Sequence, residues 1–362
     1  MSSPLDVLLG FLGPVAALLL LITPLIVIHE LGHLWAARWR GVDAPEFGIG
    51  FPPRVATIYR GRQTVYTLNA IPFGGFVRLA GAEEGSSDPA GWERASLGSK
   101  ISIMVAGVLM NLVFAIAVLT VVHGPLAERA EVSIAAVEQG SPAAAAGIRA
   151  GDRIIAIDGA PLDRSGPLLG ALRDAAGQDA RIGLRGADGT ARDIVVRLRT
   201  IAEAEGRGVL GVQIGEVTGA GPLGRDLPTA VGVAVGESAS TAAGLIGALG
   251  RLVSAPFVGG EGAGLSGPIG LSVAVAENAG RIGLVGLLHL AGLLSINLAV
   301  LNILPIPPLD GGRVATSLLR HALGERRGRI AERRIVAVGV ALMLLLFVAV
   351  TAGDLLSLFG GG

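Results

Sequence analysis

The sequence predicts a polytopic α-helical membrane protein with four transmembrane helices and a small α+β domain inserted between the second and third. Three observations carry this. Of the 362 residues, 51% are hydrophobic and only 16% charged, with a mean hydropathy of +0.64, whereas ordinary soluble domains carry about 25% charged residues. Four apolar runs, Val7–Ile28, Ile101–Val122, Leu284–Leu304 and Ile335–Thr351, approach the ~20 residues a helix needs to cross hydrocarbon. Between the second and third runs the chain turns more polar and alternates in the manner of strands.

The first run has no basic leader, Asp6 being its only early charge, and it exceeds the length of a signal-peptide core, so it reads as a retained transmembrane helix. Arg and Lys concentrate in 38–100 and 311–334 and are sparse beside the middle section, where Arg129 and Arg281 stand nearly alone. The positive-inside rule then places those two loops in the cytoplasm, and both termini and the middle section outside. Within the first loop, TVYTLNAIPFGGFVRLA (64–80) predicts a membrane-associated β-hairpin whose 64–70 edge can accept an added strand. The segment 229–254 is interrupted by Glu237 and several Ser and Thr, and reads as an amphipathic interfacial helix. The expected organisation is therefore 1–126 for two helices and the hairpin, 127–216 for the inserted domain, 217–282 for a linker, and 283–362 for the last two helices.

Net charge is zero, 29 basic against 29 acidic residues, with no basic block. Nucleic acid is thereby excluded as a partner, and membrane lipid expected. The absence of cysteine rules out disulfides and thiolate metal sites.

In the inserted domain, VSIAAVEQGSPAAAAGIRAGDRIIAIDGAPL (132–162) reads as a strand, a turn, a short helix and a hairpin turning at Asp158-Gly159. A helix-like LLGALRDA (168–175) and alternating strands to Leu198 follow. This pattern resembles a bacterial-type PDZ domain, a fold that binds peptide chain ends by adding a strand to an exposed edge. The residues leave peptide binding and simple spacing as equal readings.

The apolar first helix leads into His29-Glu30-Leu31-Gly32-His33. Four residues apart on a helix, His29 and His33 share a face, and Glu30 lies beside them. Two neutral imidazoles suit zinc, and a neighbouring carboxylate suits a general base. The alternative is a helix-end cluster whose glutamate reaches to the interface. In the third span, SINLAVLNILPIPPLDGGR (295–313), Pro305, Pro307 and Pro308 forbid a continuous helix. Asp310 follows directly, and a carboxylate at membrane depth is a functional candidate, with a turn-forming aspartate as the alternative.

H-E-x-x-H in the first span together with N-x-x-P-x-x-x-L-D-G in the third resembles the site-2 protease family of intramembrane zinc metalloproteases, most closely its bacterial regulator-of-sigma-E branch. GVLMN (107–111), PFGGFVRLAG (72–81) and SGPIG (266–270) match as well. The resemblance covers nearly the whole chain, with one PDZ domain where the better-known bacterial member carries two. It implies His29, His33 and Asp310 as ligands of Zn2+ and Glu30 as the catalytic base. It further implies cleavage of transmembrane segments of single-pass proteins, such as trimmed anti-sigma factors or remnant signal peptides, in the plasma membrane with the active site toward the cytoplasm. Asn302 and Asn111 are weaker candidates for substrate binding or site ordering, each with an interhelical contact as the alternative. A PDZ-bearing scaffold with a vestigial metal site, or an ion-coupled transporter using Glu30 and Asp310, are the rival readings.

Overall fold

The computed structural model describes residues 4–81, 91–163, 172–204, 208–258 and 268–359. In chain order the elements are α1 (Pro4–Trp39), β1 (Glu46–Arg60), β2 (Val65–Arg78), α2 (Leu97–His123), β3 (Glu128–Val137), α3 (Pro142–Ala145), β4 (Arg153–Ile157) and β5 (Ala160–Pro161). They continue with β6 (Asp179–Arg185), β7 (Ala191–Arg197), α4 (Ile201–Ala204), β8 (Val212–Pro222), α5 (Leu227–Val258), α6 (Pro268–Ile303), α7 (Asp310–Leu323) and α8 (Glu325–Phe359). Two compact units result, Met1–Val118 with Val235–Gly362, and Leu119–Ala234. Part of the expected 168–175 helix, and Ser266-Gly267 of the SGPIG segment, lie outside the described residues.

Among the described residues, four helical stretches are long and apolar enough to cross a membrane: Ala16–Trp39, Leu97–His123, Leu227–Gly250 and Gly283–Ile303. One differs from expectation. The stretch read as an interfacial helix lies in α5 and is long and apolar enough to span, and the Glu237 that interrupts it has a partner, its Oε1 lying 2.8 Å from His289 Nε2 on α6. Ile335–Thr351, expected as the fourth span, lies within α8, and the side chains of 346, 347, 349 and 350 in it lie outside the described residues. The first helix also continues past Ile28, so that α1 carries the apolar run and HELGH on one continuous rod.

The sheet of the first unit is more folded than a simple hairpin. Both long strands bend, and their pairing falls into three segments. Phe47–Ile49 runs parallel to Tyr66–Leu68 on one side and antiparallel to Gly75–Val77 on the other, and Ala56–Arg60 runs antiparallel to Val65–Leu68. Residues 65–68 are thus interior, paired on both sides, and the expected free edge at 64–70 does not exist there. The edges are 56–60 and 75–77. The bends are fixed by Gly50, whose φ of +75° suits glycine, and by Asn69, whose amide donates to the Gly50 carbonyl at 3.2 Å. Buried Glu46 ties the segments together, accepting from Arg54 at 2.6 Å and Thr67 at 3.1 Å and pairing with Arg78 at 3.1 Å. Where the sheet meets the end of α1 and the start of α2, Leu34, Ala37, Phe47, Leu79, Ile103 and Met104 form the core.

The second unit is a β-rich domain. Its antiparallel sheet has the order β7-β6-β4-β3-β8, with β5 paired to β4. Val132, Ile134, Ile154, Ile182, Leu184 and Val196 alternate inward and bury their side chains with Ala143 and Ile148. Ser141 caps α3, accepting from the Ala144 amide at 3.1 Å, with Pro142 opening the helix. Asp158 and Gly159, with φ of 52° and 79°, make the β4–β5 turn, and Asp158 Oδ1 accepts from the Arg181 amide at 2.8 Å.

Candidate metal centre

The apolar register of α1 sets His29 and His33 one turn apart on the face turned to α2, where both are buried. The ring centroids stand 4.6 Å apart at 87°, and the two Nε2 atoms approach to 3.1 Å. Room for this comes from Gly107 of α2: a Cβ there would lie 2.5 Å from Cε1 of His33 and 2.7 Å from Cε1 of His29. Gly32 allows the same close approach one turn away, its absent Cβ falling 2.4 Å from the Ala106 carbonyl oxygen.

Asp310 reaches the same point from the other end of the chain. The prolines stop α6 at Ile303, and a run of turns carries the backbone to Leu309, whose extended conformation starts α7 at Asp310. The following glycines are dictated by contact. A Cβ on Gly311 would fall 2.1 Å from the Ile303 carbonyl oxygen, and one on Gly312 would fall 2.3 Å from the Pro307 nitrogen. Asp310 Oδ2 lies 2.8 Å from His29 Nε2 and 3.1 Å from His33 Nε2.

The donor set fits a divalent cation. Two imidazole nitrogens and one carboxylate oxygen converge in a buried place, the Oδ2 atom has no hydrogen-bond partner, and all three atoms are of the type zinc takes. Proton bookkeeping on the rings agrees. The Ile103 carbonyl lies 2.7 Å from His33 Nδ1 and can only accept, so Nδ1 carries the proton and Nε2 its lone pair. The Asn111 amide lies 3.4 Å from His29 Nδ1, and its Oδ1 is buried without a partner. Turning that amide over brings Oδ1 to the Nδ1–H and frees His29 Nε2 in the same way. Ser295 of α6 donates to the Asn111 carbonyl at 2.9 Å and so holds this residue in place.

Glu30 sits beside the cluster, with a carboxylate oxygen within 4.8 Å of both ring nitrogens. Its Oε2 accepts from the Val77 amide of β2 at 3.0 Å. The sheet edge runs along α1 here: Thr23 meets Pro72 and Gly74 through its hydroxyl at 3.3 and 3.4 Å, and Gly75 packs on Val27. Asn302 lies half-buried in the last turn of α6, and among the described residues none hydrogen-bonds its side chain. Of the two asparagines, then, only Asn111 touches the cluster. Two contributors carry no site signal in the sequence: Gly107, which enters there only within the GVLMN match, and the Val77 amide, which no side-chain pattern can reveal.

The chain is 30% identical to membrane metalloprotease ARASP, chloroplastic, of Arabidopsis thaliana, over 97% of this chain and 80% of that protein. It is 25% identical to zinc metalloprotease RasP of Bacillus licheniformis, over 96% of this chain and 100% of that protein. Residues 17–346 match peptidase family M50, a region that takes in His29, Glu30, His33 and Asp310. The chain belongs to peptidase family M50 and is a metalloprotease.

Proposed function

We propose that this metalloprotease is an intramembrane zinc endopeptidase, hydrolysing peptide bonds in the transmembrane segments of single-pass membrane proteins. The observation that carries it is the meeting of His29 Nε2, His33 Nε2 and Asp310 Oδ2 within 3.1 Å of one another, with Glu30 alongside, the histidines and Glu30 lying on a helix of membrane-spanning length and Asp310 seven residues past the end of another. Those three residues would hold the ion. When bound, a zinc ion supplies Lewis-acid polarisation of a carbonyl and acidifies a water molecule. Glu30 takes the proton of the attacking water and delivers it to the leaving amide nitrogen, while the Val77 amide holds its carboxylate toward the cluster.

A transmembrane helix satisfies its own carbonyls, so it must unwind before attack, and its freed backbone then needs new partners. The 75–77 edge, which passes Glu30, is the segment suited to provide them by strand addition. Exposed Phe51, Val55, Ile58, Leu68, Ile71 and Phe73 give this sheet an apolar surface fit for a lipid boundary. The same reading takes the β unit as a PDZ domain that admits only trimmed substrates, with the unit and both termini outside a bacterial plasma membrane and the active site toward the cytoplasm. In the regulator-of-sigma-E branch the substrates are trimmed anti-sigma factors and remnant signal peptides.

Zinc stoichiometry and cleavage of a tagged single-pass test protein check the core of this proposal. Glu30→Gln should keep about one zinc and lose cleavage, whereas His33→Ala should lose both. Full activity in Glu30→Gln would exclude it as the base. Deleting 130–200 should release cleavage of untrimmed substrate; a persisting need for trimming would refute the filter.

A further inference from the structure

Asp310 is the first residue of α7, so the direction of that helix decides where its carboxylate points. The chain reaches α7 through the proline-rich turn that ends α6 and leaves it through Gly324, whose φ of 76° turns it into α8. Helix α8 packs back at two glycines. A Cβ on Gly328 would lie 2.6 Å from the Arg320 Cα, and one on Gly339 would lie 2.1 Å from the Pro307 carbonyl oxygen. These contacts bind α7 to α8 and to its own entry turn, but not to α1, which carries both histidines.

Other residues of α7 reach the half of the unit built on α1, β1, β2 and α2. Val314, one turn past Asp310, packs against the core of Leu34, Phe47, Leu79 and Ile103. Farther along, Arg320 grips Glu93 with both arms of its guanidinium, Nη1 to Oε1 at 3.2 Å and Nη2 to Oε2 at 2.6 Å. Glu332 of α8 stands 3.8 Å from the same Nη1. Glu93 is itself fixed, lying in the short turn Trp92–Arg94. The Trp92 amide donates to the Ala80 carbonyl at 2.7 Å, Lys100 of α2 donates to the Glu93 carbonyl at 3.1 Å, and the Trp92 ring packs on the same core as Val314. The side chains of Arg320 and Glu93 are only 11% and 24% exposed. A forked pair so far withdrawn from water fixes geometry in a way that an exposed single contact does not.

We propose that Glu93 and Arg320 are positioning residues for the metal centre. Their pair anchors α7 about 15 Å along the helix from Asp310 and so keeps the third ligand on the two imidazoles. The inference rests on the ligand set proposed above and adds to it the contact, between residues 227 positions apart, that brings the two halves of that set together.

The test uses the full-length protein, with zinc affinity measured by chelator competition and the visible spectrum of the cobalt(II)-loaded form reporting the donor set. Arg320→Gln should weaken zinc binding at least about tenfold, the scale of lost support to a ligand, and shift the cobalt spectrum toward that of Asp310→Asn. Glu93→Gln should do the same, and the double variant should be no worse than either single one, because all three lose one interaction. Arg320→Lys, the mildest change, keeps the charge without the fork and should fall between wild type and Arg320→Gln. A pair that serves only the fold would lower the Tm and leave zinc affinity and the cobalt spectrum as in wild type; that result overturns the proposal, as do losses that add in the double variant. If Asp310→Asn itself changes neither affinity nor spectrum, the ligand set fails and this inference with it. A response to Asp310→Asn with none to Arg320→Gln or Glu93→Gln removes the positioning role alone.

Discussion

The backbone amide of Val77 donates to Glu30 Oε2 at 3.0 Å, joining the edge of a sheet to the carboxylate of the H-E-x-x-H helix. A side chain expected to move a proton is thus aimed by a main-chain group 47 residues away. Because that N–H points out of the ladder, proline is tolerated there without loss of a sheet bond. Val77→Pro should leave zinc content intact and lower the cleavage rate about 10- to 100-fold, since a hydrogen bond to a charged group is worth about 1.5–3 kcal/mol. Single-turnover cleavage beside zinc analysis checks this, and wild-type turnover would show that Glu30 needs no such anchor.

Gly107 faces both imidazoles at a distance that admits no Cβ. Gly107→Ala should push the rings apart and weaken zinc binding at least about tenfold, the scale seen when ligand orientation is disturbed. Competition with a chromophoric chelator measures it. Unaltered affinity would mean that α2 shifts away without disturbing the ligands.

Asn111 orients His29 through the ring nitrogen opposite the ligand position. Asn111→Ala should cost about 10- to 100-fold in zinc affinity or activity, whereas Asn302→Ala should leave zinc affinity unchanged. Measuring zinc retention in both variants separates site ordering from substrate contact.

Glu46 carries a pH dependence. Burial alone raises its carboxyl, but hydrogen bonds from Arg54 and Thr67 and the charge of Arg78 outweigh that, leaving it below its ordinary value of 4.5. A carboxyl depressed in the folded state binds fewer protons there than when unfolded. Its stabilisation is therefore complete above the ordinary value and is lost as pH falls through the lowered one. Thermal unfolding of Glu46→Gln should show a lower Tm at neutral pH and a flatter decline on acidification. Parallel curves for the two proteins would contradict the assignment.

Local chemistry made some of this legible in one dimension. The four-residue spacing of His29 and His33 puts two nitrogens on one helical face wherever the helix lies, and three prolines before Asp310 end a helix in any context. Long apolar runs likewise declare their length. Other features depend on what lies across the gap. Residues 65–68 look like an edge and become a centre, because the bends at Gly50 and Asn69 fold β1 onto both sides of them. Glu237 looks like an interruption until His289 of a neighbouring helix meets it. The sequence by itself determined which atoms can bind metal and which segments must be helical, since both follow from side-chain chemistry and short-range geometry. Only the tertiary structure decided that Gly107 makes room for the rings and that Val77 steadies Glu30, because close approach and main-chain donation belong to pairs of elements, and no single segment encodes them.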